Sequence, residues 1–248
     1  MAAILANAGA TLEELREATN LGTIYLESMP RYARACGLIQ FGNTNLTALG
    51  EHVLEHDPSL SLSATQWLMH YHLCAPHGPG PRFWHDLILR LPHLPQPFRK
   101  GEVVAEIDRS VREDSGAALK DRGIESTATI FLGSYTKTDA LGPLEIMEEA
   151  GGDYTFRSPE SPPVGVFAYA LSHYWQGQLG AQQTCTLDDL GEPGGLGSLF
   201  LMGSFDVNRA LRQLARRGLL ELWMAAPPYQ VTRPPAPEKL LGGIYAAE

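Results

Sequence analysis

The chain has 248 residues, 44% apolar and 19% charged, which is material for one large core or two to three small domains. Its longest apolar runs, Leu196 to Met202 and Val164 to Leu171, fall far short of the ~20 residues that a bilayer-crossing helix needs, so no membrane span is expected. Nineteen Lys and Arg against 28 Asp and Glu give a net charge of −9, which weighs against a general nucleic-acid coat but leaves room for a local basic face.

The opening Met1-Ala2-Ala3-Ile4-Leu5-Ala6 carries no basic flank and breaks at Asn7, so it does not read as a secretory signal, and a cytoplasmic location is expected. Cys36, Cys74 and Cys185 are odd in number and widely spaced, which points to reduced, buried thiols. Lysine occurs only at 100, 120, 137 and 239, so the basic side chains are mainly arginines.

The pattern predicts a mainly α fold with short β-hairpins: tandem winged-helix or helix-turn-helix modules joined by a helical connector. The first module spans 1–57. Thr11-Leu12-Glu13-Glu14 fits a capping box that opens a helix. A turn at Asn20-Leu21-Gly22 leads to a second helix ending at Gly37, with Leu26, Met29, Ala33 and Cys36 inward; Pro30 inside it predicts a kink or a later start. Leu38 to Phe41, a polar tip at 42–45, and Leu46-Thr47 read as two short strands.

Residues 58–100 read as the connector. Ser63-Ala64-Thr65-Gln66 fits a second capping box, opening a helix through Trp67, Tyr71 and Cys74. A further helix carries Phe83, Trp84, Leu87, Ile88 and Leu91, and prolines 92, 95 and 97 make a stiff link after it. The middle module, 101–160, places Val103, Val104, Ile107 and Val111 on one helical face. Leu119 to Ile124 with Ser126 to Thr129 has the spacing of a helix-turn-helix, with Gly123 at the turn and no clear wing. The last module, 161–248, shows the strongest pattern. Asp206 stands near the start of a helix whose Val207, Ala210, Leu211 and Leu214 face inward and whose stop is Gly218. Leu219–Met224 and Tyr229–Thr232 form a hairpin around Ala225-Ala226-Pro227-Pro228, and the Pro-rich tail past Arg233 is expected to pack poorly.

The outward face of that last helix presents Asn208, Arg209, Arg212, Gln213 and Arg216. A helix on such a scaffold fits the major groove of double-stranded DNA, where Asn reads adenine, Arg reads guanine and further arginines hold phosphates. The same arginines also suit a solvated face paired with Asp188, Asp189 and Glu192. Arg31 and Arg34 on the second helix offer a weaker version of the same signal. The loop Gly133-Ser134-Tyr135-Thr136-Lys137-Thr138-Asp139 with Glu145 holds a cation and carboxylates. Phosphodiester cleavage needs such groups, with Lys137 beside the phosphate and Asp139 and Glu145 towards a Mg²⁺-like ion; the plain alternative is a polar exposed loop. His70, His72, Cys74 and His77 invite a metal reading, but His70 and His72 point about 200° apart on a helix, so no metal site is expected there and His70 is predicted to be a packed, hydrogen-bonded residue. No phosphate-binding Gly-rich loop, Cys-x-x-Cys pair or Gly-x-Ser-x-Gly elbow occurs.

The run Leu21-Gly22 through Arg31-Tyr32-Ala33-Arg34-Ala35-Cys36-Gly37-Leu38-Ile39, then Leu46-Thr47-x-x-Gly50, Asp57-Pro58 and Thr65-x-Trp67-Leu68-Met69-His70-Tyr71, resembles a bacterial domain family that includes the SspB proteins of DNA phosphorothioation systems. Tyr135, Pro143-Leu144-Glu145 and Phe167-x-Tyr169-Ala170-Leu171 extend the resemblance over most of the chain, more loosely in its last third. The resemblance implies a DNA-nicking protein that prepares one strand for replacement of a phosphate oxygen by sulfur in a bacterial defence system. It implies partners too: a cysteine desulfurase, an ATPase and an ATP-pyrophosphatase-like enzyme beside double-stranded DNA. Separate expectations are a homodimer, a Mg²⁺-like ion if the reaction needs a metal, and no tightly bound cofactor. The rival expectation is a non-catalytic DNA-binding or scaffold subunit that positions the sulfur-transfer enzymes.

Overall fold

The computed structural model describes residues 2–18, 22–114 and 121–246. The expected turn at Asn20-Leu21 and the Leu119-Lys120 start of the middle motif lie outside them.

The first unit contains α1 (Ala2–Ala6), α2 (Leu12–Ala18), α3 (Thr23–Ala35) and α4 (Ala48–His56). The Thr11 capping box forms as predicted: the Glu14 carboxylate accepts from Thr11 N at 2.7 Å, and Thr11 Oγ1 accepts from Glu14 N at 3.3 Å. α3 starts at Thr23 and runs through Pro30, so the later start suggested by that proline is not found, while its stop before Gly37 is as expected. The predicted strand pair shrinks to one antiparallel bridge, Ile39 with Leu46. Thr47 then caps α4, a helix not expected from the sequence, by accepting from Gly50 N at 3.0 Å. Gly50 is required for close approach, because a Cβ at that position would lie 1.9 Å from the Leu38 carbonyl oxygen.

α5 (Ser63–Cys74) and α9 (Val164–Tyr174) are the two buried helices of the core. Nearly every residue of each is inside, and they pack on one another. Ser63 is not the cap of α5, as its capping box predicted. The helix is entered through Leu62, and the buried Asp57 carboxylate takes the loop amides instead, at 2.9 Å from Leu62 N and 3.1 Å from Ser61 N. Those bonds hold the Asp57 carboxyl below its ordinary range despite burial.

α6 (Arg82–Arg90) follows, then β1 (Phe98–Arg99), α7 (Lys100–Glu113) and α8 (Asp121–Thr136). α8 is continuous through Gly123, so the turn expected there is absent from the described residues; 16 residues of uninterrupted helix leave no angle for it. A hairpin that was not expected does form. β2 (Met147–Ala150) and β3 (Asp153–Phe156) pair in register from Met147↔Phe156 to Ala150↔Asp153. Their loop is Gly151-Gly152 with φ of +64° and +87°, a two-residue hairpin that only glycine enters without strain. β1 adds to β3, giving the order β1-β3-β2.

The rest of the chain holds a second three-stranded sheet. After α9 come β4 (Thr184–Thr186), α10 (Leu187–Gly191), α11 (Leu196–Leu199), α12 (Ser204–Arg216), β5 (Leu222–Trp223) and β6 (Gln230–Thr232), with the sheet order β4-β6-β5. Val207, Ala210, Leu211 and Leu214 seat α12 as predicted. The tail is not loose, contrary to expectation. Residues Pro237–Gly243 form a 3-10 segment against α9 and α4, Leu240 and Ile244 are buried, and the Tyr245 hydroxyl lies 2.7 Å from Thr65 Oγ1. The whole is mainly helical with two small three-stranded antiparallel sheets, and no described helix is long and apolar enough to cross a membrane.

Candidate nucleic-acid interface

α12 owes its polar face to its inward stripe: fixing Val207, Leu211 and Leu214 in the core leaves Arg209, Arg212, Gln213 and Arg216 on the outer side. Arg209 donates to Ser161 Oγ at 3.1 Å and pairs with Asp206 at 2.9 Å. Arg212 donates to Asn208 Oδ1 at 2.6 Å, so the amide and the guanidinium already form one polar unit. Among the described residues, the alternative pairing with Asp188, Asp189 and Glu192 does not form. Asp189 instead closes a capping box with Thr186. Arg216 and its neighbour Arg217 are exposed at the end of the helix. With Arg209 53% and Asp206 37% exposed, the ion pair between them stabilises little. Trp223 on β5 is half-exposed in the same unit's hairpin, and Phe205 at the start of α12 is exposed.

Arg31 is exposed on α3. Arg34 is engaged by its own loop: Nε donates to Gln40 O and the terminal nitrogen to Asn43 O, both at 3.1 Å, and the guanidinium lies 5.7 Å from the Phe41 ring centre. Its main visible task is to hold the turn whose tip is Phe41, 93% exposed.

The loop after α8 is tightly wound around Lys137, whose carbonyl accepts from Ala140 N at 3.2 Å and Gly142 N at 3.1 Å. Lys137 and Asp139 are exposed at its surface. Glu145 sits at φ +54°, a left-handed conformation that few non-glycine residues adopt. The cleft beside Glu145 is lined also by Thr136, Glu148, Glu149 and Arg157 but by neither Lys137 nor Asp139, so the three predicted groups do not share one cavity. Glu148 is paired with Arg157, and Glu149 accepts from Gly152 N at 2.8 Å. These carboxylates therefore build no ready-made oxygen cage of the kind magnesium prefers. Among the described residues only His52, Glu55 and His56 gather three metal-capable groups, with donor atoms within 4.8 Å of one another. That set was not among the expected sites, although the spacing His-x-x-Glu-His was there to read.

His70 is the packed residue that the sequence predicts. Its Nε2 lies 2.6 Å from Leu199 O, which can only accept, so the proton is on Nε2. Nδ1 then accepts from the Tyr135 hydroxyl at 2.8 Å, and Tyr135 in turn accepts from Trp84 Nε1 at 2.8 Å. One satisfied chain of bonds thus ties α5, α6, α8 and α11 together. Burial drives the His70 pKa down to about 4. His72, reaching Tyr169 OH at 3.2 Å and facing the His173 ring, is driven to about 3 by burial and by the His173 charge. Its Nδ1 is enclosed without a partner. A cleft of about 370 Å³ lined by Arg34, Thr47, His72, Tyr169, His173 and Glu238 opens beside it; of the predicted site residues only Arg34 reaches it.

A family model described as "Protein of unknown function (DUF4007)" matches residues 21–242. Two crystal structures of SspB, one of them magnesium ion-bound, are similar in fold at a TM-score of 0.78. They are 18% and 19% identical to this chain, and the match covers 98% of it and 83% of the SspB chain. No protein of curated function matches.

Proposed function

The chain belongs to the DUF4007 family, and from that premise and its SspB-like fold we propose that it binds duplex DNA and nicks one strand for phosphorothioate modification in a bacterial defence system. The observation that carries the reading is the α12 face, where Arg209, Arg212 and Arg216 stand outward on a helix locked by its buried stripe and followed directly by the β5–β6 hairpin. That order suits a helix laid in the major groove with a hairpin along the backbone. The matching sheet orders β1-β3-β2 and β4-β6-β5, each with a strand, then helices, then a hairpin, support a tandem winged-helix reading. In it Arg209 and Arg216 hold phosphates, the Asn208–Arg212 unit meets base edges, and Arg31 adds a backbone contact from α3.

For the nicking step, Lys137 is the group that neutralises charge developing on the scissile phosphate and Asp139 on the same loop is the carboxylate available to orient water, while Glu145 faces the neighbouring cleft. A magnesium ion used here would draw much of its coordination from the DNA phosphates, as such ions commonly do. The partners in this reading are double-stranded DNA, the cysteine desulfurase, the ATPase and the ATP-pyrophosphatase-like enzyme of the system, with the protein itself acting as a homodimer in the cytoplasm.

The test is incubation of supercoiled plasmid with purified protein, with Mg²⁺ and with chelator. Conversion to open circle supports the nickase. Plasmid that is shifted on a gel but stays supercoiled supports the non-catalytic scaffold instead, and plasmid that is neither bound nor cut overturns both.

A further inference from the structure

The second turn of α4 carries His52, Glu55 and His56 at positions i, i+3 and i+4, which places all three on one face of the helix. One donor atom from each lies within 4.8 Å of the others. Two features prepare the imidazoles. His56 Nδ1 lies 2.9 Å from the His52 backbone oxygen, and because a carbonyl only accepts, the proton is on Nδ1 and the Nε2 lone pair is free. His52 Nε2 is enclosed with no hydrogen-bond partner, while a backbone bond to Leu241 favours a proton on the other side of the ring. An enclosed polar atom without a partner is a cost that a bound ion removes. The rings are also held in place. Tyr245 stacks on His56 at 5.1 Å and 7° and lies 5.5 Å from His52, and its own hydroxyl is anchored on Thr65.

We infer that His52, Glu55 and His56 form a site for a zinc-class divalent cation, one that takes imidazole nitrogen in preference to the all-oxygen shell of magnesium. Two imidazoles and a carboxylate are a donor set that suits Zn²⁺ and its neighbours and suits Mg²⁺ poorly. Bonds of about 2.0–2.2 Å place tetrahedral donors about 3.5 Å apart, so closing the site takes a modest rotation, for which Glu55, 75% exposed, has the freedom. Three protein ligands leave one position for water or an anionic oxygen. The 3-10 segment before Tyr245 packs on α4, which keeps the Tyr245 ring against the two imidazoles.

The experiment strips the full-length protein with chelator and titrates it with Zn²⁺ by calorimetry and with Co²⁺ by visible absorption, in excess Mg²⁺. The expected result is one equivalent per chain, cobalt bands of a low-coordinate nitrogen and oxygen site, and no displacement by Mg²⁺. His56→Ala abolishes uptake and Glu55→Gln weakens it at least ~10-fold, both with unchanged far-UV circular dichroism, while His93→Ala at a histidine elsewhere leaves it intact. Absence of stoichiometric uptake in the wild type overturns the inference. So does uptake that survives both His56→Ala and Glu55→Gln, or that Mg²⁺ displaces equally well. None of these readouts depends on DNA binding.

Discussion

Lowering the pH from 7 to 5 destabilises this protein through two buried histidines, well before its carboxylates titrate. His70 and His72 are 0% and 3% exposed, and burial holds their pKa values at about 4 and about 3. In the unfolded chain each titrates near 6.5. A histidine with a depressed folded pKa contributes stability above the unfolded value and loses it as the pH falls, because only the unfolded state takes up the proton. Across the window from pH 6.5 to 5, each site costs about 1.36 kcal/mol per pH unit, or ~2 kcal/mol, and the pair ~4 kcal/mol. That is a large part of the roughly 5–15 kcal/mol that a domain usually has. The partly buried His173 adds in the same direction. Asp57, whose carboxyl is depressed, loses its contribution only at lower pH and does not blur the window. Urea unfolding at half-unit steps from pH 7.5 to 5 gives the slope, which approaches two or more protons per molecule. The variant His70→Gln with His72→Gln is less stable throughout but loses about two protons of slope. A wild-type curve flat over this range, or a slope unchanged in the double variant, refutes the reasoning.

Tyr135→Phe strands the Trp84 indole N–H and the acceptor nitrogen of His70 and lowers stability by ~2–4 kcal/mol at pH 7, measured by urea midpoint, with bound metal unchanged. Gly50→Ala drives a methyl into the Leu38 carbonyl and costs ~1–3 kcal/mol or more, visible as a lowered melting temperature. Lys137→Ala and Asp139→Ala lower plasmid nicking by ~10²- to 10³-fold while leaving DNA affinity within a few-fold; nicking at wild-type rates in both makes the loop structural.

The sequence disclosed what local chemistry dictates. Thr11 and Glu14 announced their cap, the apolar spacing of Val207, Leu211 and Leu214 announced α12, and the angular separation of His70 and His72 is seen in their different partners, Leu199 O and the Tyr169 hydroxyl. What it hid depends on contacts distant in the chain. Gly123 reads as a turn until α8 packs on α7 and runs straight through it. Ser63 has the spacing of a cap, yet α5 is entered through Leu62 with no side-chain cap, and the Asp57 carboxylate binds the amides of the loop just before it because that loop folds back on it. The Pro-rich tail lacks periodicity, so only the surfaces of α9 and α4 reveal that Leu240 and Ile244 are buried. Two features outside those expectations are local all the same: the Gly151-Gly152 hairpin loop, and the His52-x-x-Glu55-His56 spacing that puts three donors on one helix face. The predicted loop groups gave no hint that Glu145 would face a cleft without Lys137 and Asp139, since the winding of residues 137–144 decides that.

The measurement that bears most directly on the central claim is the affinity for a short duplex, followed by fluorescence anisotropy over a series of salt concentrations, for the wild type and for Arg209→Ala with Arg212→Ala. If α12 lies on DNA, the double variant binds more weakly at every salt concentration, and its plot of log affinity against log salt is shallower by about one for each phosphate no longer neutralised. Equal affinities and equal slopes for the two proteins contradict the account.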